Sequence, residues 1–257
     1  MIQITNINAY ISGMQKSIVD KLFFMNKVDD YISTIIDYGC ADGTLIKEMN
    51  KVKPDLHYIG YDNNVDMINI AKKNTFNDQN VNFTNNFNFD RCSNDLLNLS
   101  SVIHEVYSYC SCDEIKKFWD NVFSHDFKYI SIRDFCVSKS INRTTDINDY
   151  TKLIQTADKN QINDFESIWG SLRDNRNFIH FLMKYRYKAN WDREVRENYF
   201  PITLEQLLSK IPTDKYEIIY FEDYCLPFTR DTIKKNFDIN IVDKTHVKLL
   251  LKRKSRL

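Results

Sequence analysis

Apolar positions recur along the chain in two rhythms. Ser33 to Tyr38 is a short β-branched run ending at a glycine, and Thr44 to Asn50 follows with Leu45, Ile46 and Met49 at helical spacing. The pattern predicts strand, tight turn, helix. His57 to Asp62 reads as a second strand and Val65 to Asn74 as a helix with Met67, Ile68 and Ala71 on one face. Val81 to Thr84 gives a third strand, Asp95 to His104 a fourth, Asp113 to Val122 a helix and Phe127 to Arg133 a fifth strand. Strands alternating with helices predict a parallel sheet covered on both faces.

The rhythm then breaks. Residues 137–200 are polar and helix-like, over 146–156, 162–169, 172–188 and 190–198, and this is too long for an ordinary loop. It reads as a helical insertion over the carboxyl edge of the sheet. A helix at Leu204 to Ile211 and strands at Tyr216 to Tyr224 and Thr245 to Leu251 complete the pattern. The stretch 225–243 between those strands lacks strong helical periodicity, so the two read as antiparallel neighbours. The expected fold is α/β: a seven-stranded, mostly parallel sheet with an insertion after the fifth strand. A helical preface lies in 1–30 (its helix at 13–27), the core in 31–136 and 201–257, and the insertion in 137–200.

Composition narrows the class. Hydrophobic residues make up 43% and charged residues 27%, enough apolar surface for one sizeable core without disulfide staples. No run of 18 apolar residues occurs, and the N-terminal segment lacks a basic stretch followed by an apolar one, so the expectation is a cytoplasmic chain with no membrane partner. The six cysteines form no C-x-x-C pair, which suggests reduced thiols and no zinc site. Net charge is zero but uneven: residues 1–135 hold 13 basic against 18 acidic side chains, and residues 136–257 hold 22 against 17. A basic second half hints at a polyanionic partner.

The most informative segment is the loop Asp37-Tyr38-Gly39-Cys40-Ala41-Asp42-Gly43 between the first strand and the first helix, at the edge where parallel sheets bind ligands. Its G-x-x-x-G spacing matches neither the dinucleotide nor the nucleoside-triphosphate fingerprint, so the ligand should be nucleoside-like without a diphosphate. Asp62, ending the second strand 23 residues after Gly39, suits a ribose acceptor. With these residues the chain resembles the class I S-adenosylmethionine-dependent methyltransferases, which have a Rossmann-like sheet, a first motif of the form D/E-x-G-x-x-x-G and an acid ending the second strand. The resemblance covers about 31–135 and 203–251 and leaves out the insertion. It implies S-adenosylmethionine as methyl donor and S-adenosylhomocysteine as product. Asp37 and the Gly39 backbone would face the methionine part, Tyr38 and Cys40 would line it, Asp62 would hold the ribose and Asn63 would sit beside the adenine. Asn86 and Phe87 stand where the family often has an acid near the adenine amine.

The chemistry has several candidates. The fourth strand's tip carries Ser101, His104 and Glu105, with His104 as general base or substrate orienter and Glu105 taking a proton or fixing the imidazole. The alternative is that Ser101 and His104 only shape the cofactor pocket. Arg133 would look into the same crevice, paired with Asp134. In the insertion, Arg176, His180 and Lys184 recur every four residues as a stripe that suits a phosphate-bearing acceptor or a nucleic acid, as does the basic tail 252–256; equally, the stripe reads as a solvated face. The expected function is methyl transfer to an O or N acceptor without a metal, on a nucleotide, a nucleic acid or an uncharged small molecule. The competing class is a non-catalytic subunit that binds S-adenosylmethionine or S-adenosylhomocysteine.

Overall fold

A computed structural model of the chain describes residues 17–29, 31–75, 78–89 and 92–255. Seven strands form one sheet in the order β3-β2-β1-β4-β5-β7-β6. They are β1 Thr34–Tyr38, β2 His57–Tyr61, β3 Val81–Thr84, β4 Asp95–Ser100, β5 Tyr129–Phe135, β6 Tyr216–Tyr224 and β7 His246–Arg253. Strands β1 to β5 pair in parallel, and β7 runs antiparallel to both β5 and β6. The strand order reverses between β1 and β4, and the crevice that opens at such a reversal is where open α/β sheets take ligands. Buried β1, β4, β5 and β7 explain the near-continuous apolar runs in the sequence.

Helices cover both faces: α1 Ile18–Lys21, α2 Thr44–Val52, α3 Val65–Asn74, α4 Ile103–Tyr109 and α5 Cys112–Ser124. A Ser111–Glu114 capping box starts α5. Between β5 and β6 lie α6 Ile147–Thr156, α7 Lys159–Trp169, α8 Asn175–Lys184, α9 Trp191–Glu194 and α10 Leu204–Ser209, and α11 Pro227–Phe237 joins β6 to β7. Two apolar clusters fill the faces of the sheet, and a third gathers Leu153, Phe165, Phe181 and Phe200 with Ile233 and Phe237 of α11. The expected helix at 13–27 lies partly outside the described residues, as does Arg256 of the basic tail.

Two sequence expectations change. The fourth strand does not run to His104: it ends at Ser100, Ser101 turns the chain at φ 60°, and His104 and Glu105 sit on the first turn of α4. An apolar run of that length is equally compatible with a buried strand and a buried helix turn. The stretch after β6 is a helix after all. Its buried row is Thr229, Ile233 and Phe237, a single file spaced by four, too narrow to register as an amphipathic pattern.

Gly60 in β2 is held to glycine by packing. A Cβ on Gly60 would lie 2.4 Å from Phe83 Cδ1 and 2.8 Å from Cys40 Sγ, so the Phe83 ring needs that bare backbone. Gly60→Ala should therefore destabilise the fold by about 1–3 kcal/mol through overpacking. Urea unfolding checks this: the midpoint should fall, and Phe83→Leu in the same chain should recover part of the loss. An unchanged midpoint would refute the tight contact.

Candidate active site

A cavity of about 470 Å³ opens at the reversal point between β1 and β4, within the range of small-molecule sites. Its walls come from α1, the loop after β1, Asp62, the turn from Ser100 into α4, the segment from Met183 to Tyr199 and the start of α11. The loop is held in shape by β2: Gly39 N–H and Cys40 N–H both donate to Tyr61 O, at 2.8 and 2.9 Å. Gly39 takes φ 76°, which a side chain would strain. Asp62 fixes the loop from the other side, its Oδ2 accepting from Ala41 N at 2.9 Å while its Oδ1 accepts from Asn64 N at 2.8 Å.

Asp37 is buried beneath the loop and accepts from Asn98 Nδ2 at 2.8 Å. Burial pushes its carboxyl up to about 7, with the Asn98 bond and the Lys21 charge pulling the other way. Lys21, on α1, is also buried against the cavity. Burial, with Arg133 nearby, brings its ammonium down to about 8. Lys21 makes no ion pair within 4.0 Å among the described residues.

Across the cavity stands a charge cluster. His104 Nδ1 bonds Asp134 Oδ1 at 2.5 Å, and Asp134 also accepts from Ile103 N and Phe135 N, each at 2.7 Å. The start of α4 has no side-chain cap of its own, so the β5 carboxylate supplies it. Burial disfavours the charged imidazole, but Asp134, aided by Glu197 and Glu105, raises it to about 9. His104 Nε2 lies 3.9 Å from Glu197 Oε1. Burial pushes the Glu197 carboxyl up to about 7, reinforced by Glu105 and opposed by His104 and Arg193. Arg193 bonds Glu105 at 3.0 Å and Glu194 and Glu197 at 3.3 Å. His104, Glu105 and Glu197 bring one ligand atom each within 4.8 Å of one another, a set that suits a cation, and the Arg193 guanidinium already supplies positive charge to both carboxylates.

Comparison with known proteins agrees with this geometry. The profile of the family described as "Methyltransferase domain" matches residues 30–161, half of the chain. The chain belongs to this methyltransferase family. No curated protein matches it by sequence. Among solved structures, the fold is similar to the YcgJ protein from Bacillus subtilis at 13% identity, TM-score 0.52, covering 93% of this chain and 100% of that one. It is similar also to the N-methyltransferase NodS from Bradyrhizobium japonicum at 10% identity, TM-score 0.50, covering 94% and 97%. The plantazolicin methyltransferase BpumL, solved in complex with a triazolic desmethylPZN analog and SAH, matches at 11% identity, TM-score 0.50, covering 94% and 84%. At such identities the likeness concerns the fold.

In this methyltransferase the cavity gathers Asp37, Gly39, Cys40, Asp62, Ser101, His104, Glu105 and Arg133 from the sequence-predicted set. Seven others lie elsewhere. Tyr38 alternates with Asp37 along β1, so its ring crosses to the other face and packs with Tyr61 and Phe87 at centroid distances of 4.7 and 5.0 Å. Asn63 and Asn86 are exposed, and Asn86 N–H closes a turn on Thr84 Oγ1 at 3.0 Å. The cationic stripe turns inward. Arg176 donates to Phe200 O, His180 Nε2 accepts from Tyr199 N, and the fully buried Lys184 donates to the carbonyls of Glu194 and Glu197. Burial and the neighbouring cations keep His180 neutral. None of the three lines the cavity.

The expected Arg133–Asp134 pair is also absent. Neighbours on a strand face opposite ways, so Arg133 reaches Asp20 of α1 at 2.8 Å and Asp134 reaches His104. Strand alternation in the sequence carried that signal. Sequence reasoning missed Lys21, Arg193, Glu194, Glu197 and Arg186 as cavity residues, since only the folded insertion and α1 bring them there.

Among the described residues no helix is long and apolar enough to cross a membrane, and all six cysteines are free.

Proposed function

We propose that the cavity binds S-adenosylmethionine and that the enzyme methylates an O or N atom of a small molecule held under the helices between β5 and β6. One observation carries this: Asp37, Asp62, Lys21, His104 and Glu197 line a single cavity. Buried Asp37 and Lys21 offer opposite charges that fit an amino-acid end, and the two Asp62 oxygens each keep a lone pair for vicinal hydroxyls. When bound, the cofactor supplies a methyl group on a sulfonium, open to in-line attack. The chain's own part is to position the acceptor and take its proton.

Those two tasks divide between His104 and Glu197. With a value of about 9, His104 is an imidazolium at neutral pH and donates rather than accepts, so it orients the acceptor. Glu197, whose carboxyl burial pushes up from the usual carboxylate range, takes the proton. Arg193 pins both Glu197 and Glu105. The inward turn of the Arg176 stripe removes its support for a nucleic-acid acceptor, and a cavity of about 470 Å³ favours a small one.

Calorimetry with S-adenosylmethionine and S-adenosylhomocysteine tests the first step, and binding of neither would overturn the reading. A tritiated-methyl screen across small molecules, nucleotides and RNA tests the second; tight cofactor binding with no transfer would favour a non-catalytic subunit. Once an acceptor is in hand, Glu197→Gln should lower kcat by about 10²–10⁴-fold. It should also abolish the rise of rate with pH near 7 while leaving S-adenosylhomocysteine affinity within a few fold. A retained pH limb would remove Glu197 from the role.

A further inference from the structure

Most cations around the cavity are matched by carboxylates. Arg133 pairs with Asp20, Arg193 with Glu105, Glu194 and Glu197, and His104 with Asp134. Lys21 is assigned above to the cofactor's amino-acid end. Arg186 is different. Its Nη2 donates to Thr229 Oγ1 at 3.2 Å, and Thr229 is itself buried at the start of α11. Among the described residues its Nη1 is enclosed and has no acceptor. Among the described residues no carboxylate lies within 4.0 Å of it. A guanidinium offers five donors in a planar fork, and leaving an arm of it enclosed without a partner carries a desolvation cost that an arriving oxyanion would relieve.

The surroundings define the rest of the ligand. The guanidinium carbon sits 5.4 Å from the ring centroids of both Tyr187 and Phe228, and Met183, Leu226 and Phe135 add apolar wall. His246, on the same wall, is kept neutral by burial and by the charges of Arg133, His104 and Arg186, so it adds no competing positive charge. Resting on the cofactor reading above, we infer that Arg186 docks an oxyanion of the methyl acceptor, and that the enzyme's acceptors are small carboxylates or phosphate esters with a flat, apolar body. The oxyanion lies across the guanidinium fork, the body packs beside Phe228 and Tyr187, and the reacting O or N atom points toward His104 and Glu197.

The experiment uses the full chain saturated with S-adenosylhomocysteine, titrated calorimetrically with 4-hydroxybenzoate, 4-hydroxyphenyl phosphate and uncharged 4-hydroxybenzamide. Both anions should bind more tightly than the amide, and the tighter of the two identifies the oxyanion class. Arg186→Gln should weaken the anions about 10- to 100-fold, the scale of a lost charge-assisted bond, and leave the amide unchanged. Arg186→Lys, which keeps the charge and loses the fork, should fall between. S-adenosylhomocysteine affinity, measured for each variant, reports that the fold and the cofactor end are intact. If S-adenosylhomocysteine binds but the amide binds as well as the anions, or Arg186→Gln leaves the anions unaffected, the Arg186 site is wrong and the cofactor reading stands. If S-adenosylhomocysteine does not bind the wild-type chain, both fall together.

Discussion

Asp134→Ala should cost the fold about 3–5 kcal/mol, the scale for removing one partner of a buried ion pair. In a chain of this size that lowers the melting temperature by on the order of 10 °C. Asp134 is 1% exposed, and its carboxylate holds His104, the first amide of α4 and its own successor's amide. Without it, the His104 imidazole and the Ile103 N–H lose their buried acceptor. The pH dependence follows from the two shifts. His104 is raised from 6.5 to about 9, so its contribution is complete below 6.5 and is lost as pH rises through about 9. Asp134 is lowered from 3.8, so its contribution is present above 3.8 and is lost as pH falls through its folded value. The pair is worth most between those limits. Asp134→Asn should abolish the wild-type loss of stability between pH 6.5 and 9 that this pair generates, measured as the difference between urea-unfolding curves of the two proteins. Identical pH slopes would show that His104 is not held charged by Asp134.

The second large effect is on cofactor affinity. Asp62→Ala should weaken S-adenosylhomocysteine at least 100-fold by calorimetry, because the carboxylate has two functions. It ties Ala41, whose φ is 47°, into the loop through a bond of 2.9 Å, and it presents its remaining lone pairs to the cavity. Each hydroxyl bonded to a charged acceptor contributes about 1.5–3 kcal/mol, so two bonds and a loosened loop exceed a hundredfold. Asp62→Asn should be milder than Asp62→Ala, since one oxygen survives, while the new amide nitrogen faces a backbone N–H that it cannot bond. An Asp62→Ala protein that binds within fivefold of wild type would remove Asp62 from the ribose role.

The parts that read from the sequence share a property: they are local. Gly39, Asp62 and the strand-turn-helix around them fall within one βαβ stretch, and hydrophobic period alone places them at the sheet's carboxyl edge. The charge cluster is the opposite case. His104 meets Asp134 thirty residues on and Glu197 still further along, and nothing in the spacing of any one segment announces that meeting. The Arg176–His180–Lys184 stripe misled for a related reason. Period gives a helix face, but which face is covered depends on what packs against it, and here carbonyls of the following turn claim the lysine. Tyr38 is legible from the period itself: alternation from Asp37 sends it to the far side of the sheet.

The apolar cluster shared by the helices after β5 and by α11 ties two distant stretches of chain into one module. Transplanting 137–200 alone onto another sheet of this kind would leave Leu153 and Phe165 without Ile233 and Phe237, so a working graft must carry the β6–α11–β7 segment with it. On the proposed acceptor site, acceptor choice is carried by a pair of segments that must be kept together. A change in the roof of the cavity and a change in the last helix are expected to arise together in any chain that has moved to a new substrate.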